Sequence, residues 1–363
     1  MVFDLNVLFC YLIIKIRSMK RFESLDWLRG LCALAIMFYH FVSWTVFHPE
    51  SGSILGNFGI YGVSIFFVLS GLSMGIVYNN YIKDFHTSLV FFIRRLFRLL
   101  PLLWVAIVLV SAVGFILHHE LDIFKIFLNV TLLFGFVAPN QYINIGAWSI
   151  GNECVYYAFT PILIMLYARN KILGNLAVLV SILVGLYFTF IGLNSNMNLE
   201  RQWDTYINPL NNFYLYTCGL ALYYNFHHVS VTKIAPFLIL CSLLILCFYP
   251  VSGDQINIVT GVNDIIFSIA SITLVLGFYK LDVNLPSWFS KPLANFGEAT
   301  YGIYLLHPVV FIFTNKIFNG NSVLIIISSS IVTIIAANLS YKFYEKKWIK
   351  IGKNLTTFKT VKS

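Results

Sequence analysis

Leu25-Asp26-Trp27-Leu28-Arg29-Gly30-Leu31-Cys32-Ala33-Leu34-Ala35-Ile36-Met37-Phe38-Tyr39-His40 opens on charge and then runs mostly apolar to Phe47. Residues 28–47 form a run of about twenty, the length that crosses a hydrocarbon core of ~30 Å as a helix. Within it stand one arginine and one histidine. Eleven residues at 100° each come to about 20° beyond three full turns, so Arg29 and His40 share a face. They stand ~16 Å apart along the axis, and Asp26 lies within about 40° of the same line. Ionisable groups inside a membrane are costly, which makes each a functional hypothesis. His40 suits a general base or a transient covalent carrier, since imidazole titrates near neutral pH. The plainer alternative is a packed histidine bonded to a neighbouring carbonyl, with Arg29 as a topology anchor.

The whole chain has the same character. Of 363 residues, 59% are hydrophobic and 11% charged, where a soluble fold of this length needs roughly a quarter charged to cover its surface. The formal charge of +9 sits at the ends of apolar runs rather than along one soluble face. This argues for membrane topology and against nucleic acid. Cys10, Cys32, Cys154, Cys218, Cys241 and Cys247 all fall in apolar stretches without metal-ligand spacing and read as small hydrophobes. His86, His118, His119, His227 and His228 lie in loops with no third ligand at helical spacing, so no metal site is expected.

The expected fold is all-α, a polytopic integral membrane bundle of about ten helices at 28–47, 56–78, 99–117, 150–168, 172–193, 207–226, 235–251, 258–279, 299–318 and 323–342. Phe124–Val137 is short for a span and reads as re-entrant or interfacial. With the first helix entering from the cytoplasm, most basic residues fall on that side, from Lys20, Arg21 and Arg29 to the tail from Lys342 to Lys362. Only Lys125, Arg201 and Lys316 fall on the other. That asymmetry puts both termini in the cytoplasm. Residues 1–18 read as a short extension ahead of a natural beginning at Met19, residues 19–345 as one transmembrane domain, and 346–363 as a basic cytoplasmic tail. The charges of 1–18 follow its apolar run, unlike a signal peptide.

Three further segments carry polar residues at depth. Arg94, Arg95 and Arg98 form a basic cluster ending at Pro101, and Arg95 and Arg98, one turn apart, could clamp phosphates, although by spacing alone topology charge is the favoured reading. Trp148-Ser149-Ile150-Gly151-Asn152-Glu153 puts a carboxylate just inside the fourth span, where it needs a partner or a task. Tyr301, Tyr304 and His307 step by three along one face, to line a cavity or to pack, and Pro308 permits a kink. Phe66-Phe67-Val68-Leu69-Ser70-Gly71 offers small residues for close helix approach.

Taken together, these segments resemble the acyltransferase-3 family of membrane enzymes that modify bacterial surface polysaccharides. The matching pieces are Leu25-Asp26-Trp27-Leu28-Arg29-Gly30 to His40, Phe66 to Gly71, Arg94-Arg95-Leu96-Phe97-Arg98-Leu99-Leu100-Pro101, Trp148 to Glu153, Tyr301 to His307, and Tyr344-Glu345. They come in the family's order and span nearly the whole chain. The resemblance implies a ten-helix domain in the bacterial cytoplasmic (inner) membrane. It also implies transfer of an acyl group, usually acetyl from acetyl-CoA, to a hydroxyl of a lipid-linked or surface glycan such as O-antigen, exopolysaccharide or capsule. Acetyl-CoA is then a substrate, with no permanently bound cofactor. The catalytic candidates are His40, Arg29 and Glu153. Arg95, Arg98 and Arg94 are candidates for the CoA phosphates, and Asp26, Tyr301, Tyr304 and His307 for the cavity. Thr300 replaces the family's usual serine, and Lys346 follows Glu345 where Arg-Pro is common. The hydrolase-like extracytoplasmic domain of some members is not expected here, so transfer would finish within the membrane domain or pass to another protein. A transporter or flippase of glycan intermediates is the rival reading, but such folds often carry repeats, and none is visible between the halves.

Overall fold

The computed structural model describes residues 22–118 and 120–357, and within them the chain is helical with no strand. The expectations for residues 1–18, Met19, Cys10, His119 and the end of the tail lie outside those residues. Thirteen helices of eight or more residues carry the fold, joined in places by single helical turns. They are α1 (Glu23–Thr45), α2 (Ile54–Tyr78), α3 (Phe85–Ile116), α4 (Ile123–Val130), α5 (Ala147–Arg169), α6 (Lys171–Tyr187), α7 (Pro209–Phe226) and α8 (Ala235–Phe248). Then come α9 (Gly261–Lys280), α10 (Ser287–Glu298), α11 (Thr300–Ile317), α12 (Ser322–Ser340) and α13 (Lys346–Thr357). Each of the ten expected spans overlaps one of these helices. Six segments are long and apolar enough to cross a membrane: α1, α2, α3, α6 with its π turn to Gly192, α9, and α12 continued through α13. A seventh arises if α10 and α11, bent by 68°, form one broken span. The molecule is therefore a multi-pass helical membrane protein.

Four local features differ from the sequence reading. The third helix begins at Phe85 rather than 99, because Asp84 caps it, accepting from the Thr87 backbone N–H at 2.8 Å while Thr87 Oγ1 accepts from the Asp84 N–H at 3.0 Å. Arg94, Arg95 and Arg98 consequently lie on a helix that runs on through Pro101. The 124–137 piece breaks at Leu132, held at φ +60°, so it forms α4 and a separate turn over Phe134–Val137. A 68° bend that the sequence reading did not place falls at Ala299, between α10 and α11, and α11 runs on through Pro308. A region left outside the expected spans, 287–298, is a helix, and a hydropathy pattern misses it because it is short and amphipathic, with Trp288 76% exposed.

Two glycine contacts set how the helices cross. Lipid tails are as apolar as the side chains, so close backbone approach takes over from hydrophobic burial as the force between helices. At the α2–α7 crossing a Cβ on Gly71 would sit 1.9 Å from the Tyr216 carbonyl oxygen, and one on Gly219 would sit 2.0 Å from that of Val68. The small-residue reading of Ser70-Gly71 therefore holds at Gly71. At the α1–α10 contact a Cβ on Gly297 would sit 2.1 Å from the Asp26 carbonyl, and one on Gly30 would sit 2.8 Å from Phe296 Cβ. The glycine following Arg29 thus lets α10 press against the start of α1. Replacing Gly219 with Val should force these backbones apart and destabilise the bundle by about 1–3 kcal/mol, read as a lowered thermal midpoint of the detergent-solubilised protein; an unchanged midpoint would refute the contact.

Candidate active site

α1 packs against α2, α9, α10, α11 and α12, which leaves its polar face looking into the bundle. At the end where α1 begins, a cavity of about 390 Å³ is lined by Asp26, Arg29, Arg95, Arg98, Glu153 and Tyr301, with Tyr304 and several apolar side chains. Arg29 donates to Asp26 Oδ1 at 2.9 Å and to the Ser73 hydroxyl, and Ser73 donates in turn to the Leu69 carbonyl. The guanidinium is thereby fixed by one carboxylate and one hydroxyl.

Opposite, α5 presents Glu153. Its Oε1 accepts from Ser70 at 2.6 Å and from Tyr157. Arg95 donates to the Tyr78 hydroxyl at 3.0 Å and lies over the rings of Tyr78 and Tyr157, at 5.3 and 5.8 Å. Its Nε is buried with no hydrogen-bond partner among the described residues. Glu298, also lining the cavity, pairs with Lys346 at 3.5 Å. Asp26 pairs with Arg29 and Lys346 with Glu298, while Arg95 and Arg98 line the cavity together with Glu153, and Arg98 also interacts electrostatically with the buried Glu345.

Tyr301 and Tyr304 stand on the same face of α11, as their spacing predicted. Tyr301 donates to the Leu99 carbonyl at 2.6 Å, and Tyr304 pairs with Ser149 Oγ at 2.7 Å and with the Gly146 carbonyl at 3.0 Å. The cavity ends at Tyr304, whose ring centroid lies 6.1 Å from that of His307. Beyond it, His40 Nδ1 meets His307 Nε2 at 2.8 Å. The indole of Trp44 lies parallel to both imidazoles, at 4.9 Å from His40 and 5.9 Å from His307.

The structure therefore brings Asp26, Arg29, Arg95, Arg98, Glu153, Tyr301 and Tyr304 to one cavity, and His40 and His307 to a pair just past its end. It does not bring Arg94 there: its Nε donates to Thr356 on α13 at 2.9 Å and its guanidinium covers Tyr81. Sequence reasoning missed Ser70, Ser73, Tyr78 and Tyr157 as cavity partners and Trp44 as the cover of the histidines. For the serines a signal existed, two hydroxyls one turn apart within the apolar second half of their helix. The pairing of His40 with His307, 267 positions away, left none. Asp264 was also missed: it is held outside this cavity by the hydroxyls of Thr189 at 2.6 Å and Tyr61 at 3.0 Å.

A multi-pass helical protein with an arginine- and carboxylate-lined cavity beside a histidine pair has the make-up of an integral membrane enzyme. The chain belongs to the acyltransferase-3 family, whose sequence profile, described as an acyltransferase domain, matches residues 22–342. It is similar to a peptidoglycan O-acetyltransferase of Listeria monocytogenes, 28% identical in an alignment 376 positions long that covers 92% of this chain and 57% of the relative. A putative peptidoglycan O-acetyltransferase of Bacillus subtilis is 27% identical, with 92% and 55% covered. A putative O-acetyltransferase of Staphylococcus aureus is 23% identical, with 93% and 59% covered. The chain thus spans little more than half the length of these curated relatives. No solved structure gives a significant match.

The geometry makes Glu153 an acceptor shared by two hydroxyls. Glu153→Ala should leave those hydroxyls underpartnered and lower stability by about 1–3 kcal/mol, whereas Glu153→Gln, which keeps an acceptor oxygen, should lose less. Thermal unfolding of the two variants in one detergent reads the difference, and equal losses would contradict the assignment.

Proposed function

We propose that the chain is a membrane O-acetyltransferase that takes acetyl from acetyl-CoA and places it on a hydroxyl of a surface or lipid-linked glycan. The observation that carries the reading is the arrangement along α1, in which Arg29 lines a cavity shared with Arg95 and Arg98 and His40 meets His307 eleven residues further on. The printed names of the relatives add peptidoglycan to O-antigen, exopolysaccharide and capsule as acceptors. In this proposal ten helices cross the bacterial cytoplasmic membrane with both termini in the cytoplasm, which the basic residues at the cavity end of the bundle favour.

The chemistry follows from the side chains. Arg95 and Arg98 hold the phosphates of CoA, a task suited to planar guanidiniums that match phosphate oxygens in pairs. Arg29, held by Asp26 and Ser73, orients the pantetheine or the thioester. The thioester passes Tyr304 to reach His40, which either takes the proton of the acceptor hydroxyl or carries the acetyl group for a moment. Glu153 positions the groups around it rather than serving as the base, because both of its bonded neighbours are hydroxyl donors.

His40→Ala should abolish the alkali-labile acetyl on surface glycan while leaving membrane insertion intact; acetylated glycan at the ordinary level in that strain would refute the role of His40. Arg98→Ala should raise KM for acetyl-CoA about tenfold or more, as loss of a charged hydrogen bond of about 1.5–3 kcal/mol implies. Arg94→Ala, which alters a side chain outside the cavity, should leave KM unchanged. Steady-state transfer with purified protein in nanodiscs separates the two, and equal effects would overturn the division between these arginines.

A further inference from the structure

His307 is wholly buried and makes two contacts through its ring nitrogens. Nδ1 lies 3.1 Å from the Ile303 carbonyl, one turn back on α11, and Nε2 lies 2.8 Å from His40 Nδ1. A carbonyl oxygen only accepts, so the proton of the first contact sits on His307 Nδ1. A neutral imidazole carries one N–H, so His307 Nε2 then holds a lone pair and is the acceptor of the second contact. His40 Nδ1 is therefore the donor, and His40 Nε2 is left without a proton. The two rings are 12° from parallel with centroids 5.0 Å apart, the separation of imidazoles lying edge to edge in one plane. The bond between the nitrogens is accordingly close to straight. Trp44 lies parallel to both rings and Phe41 is set edgewise to His307 at 6.0 Å, so both imidazoles are packed by aromatic rings in this orientation.

We infer that His307 is a positioning residue that fixes the tautomer of His40, keeping the bare nitrogen of His40 as its Nε2. The inference rests on the proposed role of His40 in acyl transfer. The tautomer of a histidine is set by the bond its other nitrogen makes. Most base-bearing histidines are oriented by a carboxylate; here a second neutral imidazole does so, anchored to its own helix backbone. In the transfer step the acceptor hydroxyl gives its proton to His40 Nε2 as its oxygen bonds to the acyl carbon. The carbon–sulfur bond breaks with its electron pair on sulfur, and the thiolate takes the proton back from Nε2. Throughout, the Nδ1 proton stays on His40 and the His307 lone pair faces the imidazolium that forms. Without an acceptor at His307, the Nδ1–H tautomer loses its support and a share of the protein holds a proton where the lone pair is needed.

The direct test is 15N NMR of histidine-labelled protein in lipid bilayers, with the His40 signals assigned by their loss in His40→Ala. In the otherwise unchanged protein the expected pattern is a protonated Nδ1 and a bare Nε2 for His40; a protonated Nε2 in that spectrum overturns the inference without any variant at 307. His307→Phe, which keeps a ring but no acceptor, should populate the Nε2–H form and slow transfer by about 10²–10⁴-fold, the range of a misplaced general base. His307→Gln, whose amide oxygen reaches the same place, should restore the bare Nε2 signal and recover at least tenfold of the lost rate. If His307→Phe and His307→Gln are equally slow with unchanged His40 tautomer, His307 is only packing and the inference fails. If instead His40→Ala transfers acetyl normally, it is the proposed function that fails, whatever the spectra show.

Discussion

The contact of α10 with α1 at Gly297 and Gly30 is the constraint on which the site depends. A side chain at either position would collide with the opposing backbone, so only glycines let the end of α10 lie against the turn that carries Asp26 and Arg29. That contact fixes the start of α1, and the 68° bend at Ala299 then sends α11 alongside it. The result places Tyr301 and Tyr304 at the cavity and His307 against His40. Because an isolated polar group in hydrocarbon is expensive, each ionisable side chain placed this way is met by a partner: Asp26 and Ser73 for Arg29, Ser70 and Tyr157 for Glu153, His307 for His40. The site is a set of mutually satisfied polar groups whose partners come from helices distant in sequence.

In the proposed reaction this arrangement separates two tasks along one helix. The end bearing Arg29, Arg95 and Arg98 holds a cavity in which Asp26, Glu153 and Glu298 stand among the arginines, whereas at the other end His40 and His307 pack against Trp44. Tyr304 stands between them, lining the cavity while its hydroxyl binds Ser149 and the Gly146 carbonyl. For a thioester to travel from one end to the other, those two hydrogen bonds must open. The ~16 Å read from helical rise is thus not a gap for one static residue to cover but the length of a path with a side chain across it.

Much of this was legible in the sequence. Apolar runs located the helices because a bilayer imposes a length, and a 100° step put Arg29 and His40, or Tyr301, Tyr304 and His307, on common faces because helical period is local. What sequence could not supply was nonlocal or capped by polar residues. The start of α3 hid behind the capping of Asp84 by Thr87, and with it the fact that Arg94 and Arg98, four positions apart, point to different neighbours. The helix 287–298 was invisible to hydropathy because only one of its faces is apolar. Ser70 was read as a space-saving residue and proved to be a donor to Glu153 as well, since a hydroxyl's partner depends on which helix arrives beside it. No periodicity links His40 to His307.

The central claim is that the arginine-lined cavity and His40 belong to one acyl-transfer path. It is tested most directly by a structure of the protein in lipid nanodiscs with a non-hydrolysable acetyl-CoA analogue in which a methylene replaces the thioester sulfur. The account predicts phosphates of the analogue against Arg95 and Arg98, the Tyr304–Ser149 bond open, and the acyl carbon within about 3–4 Å of His40 Nε2, the distance of a near-attack geometry. An analogue bound outside this cavity, or one seated in it with Tyr304 closed and its acyl carbon remote from His40, would contradict the account.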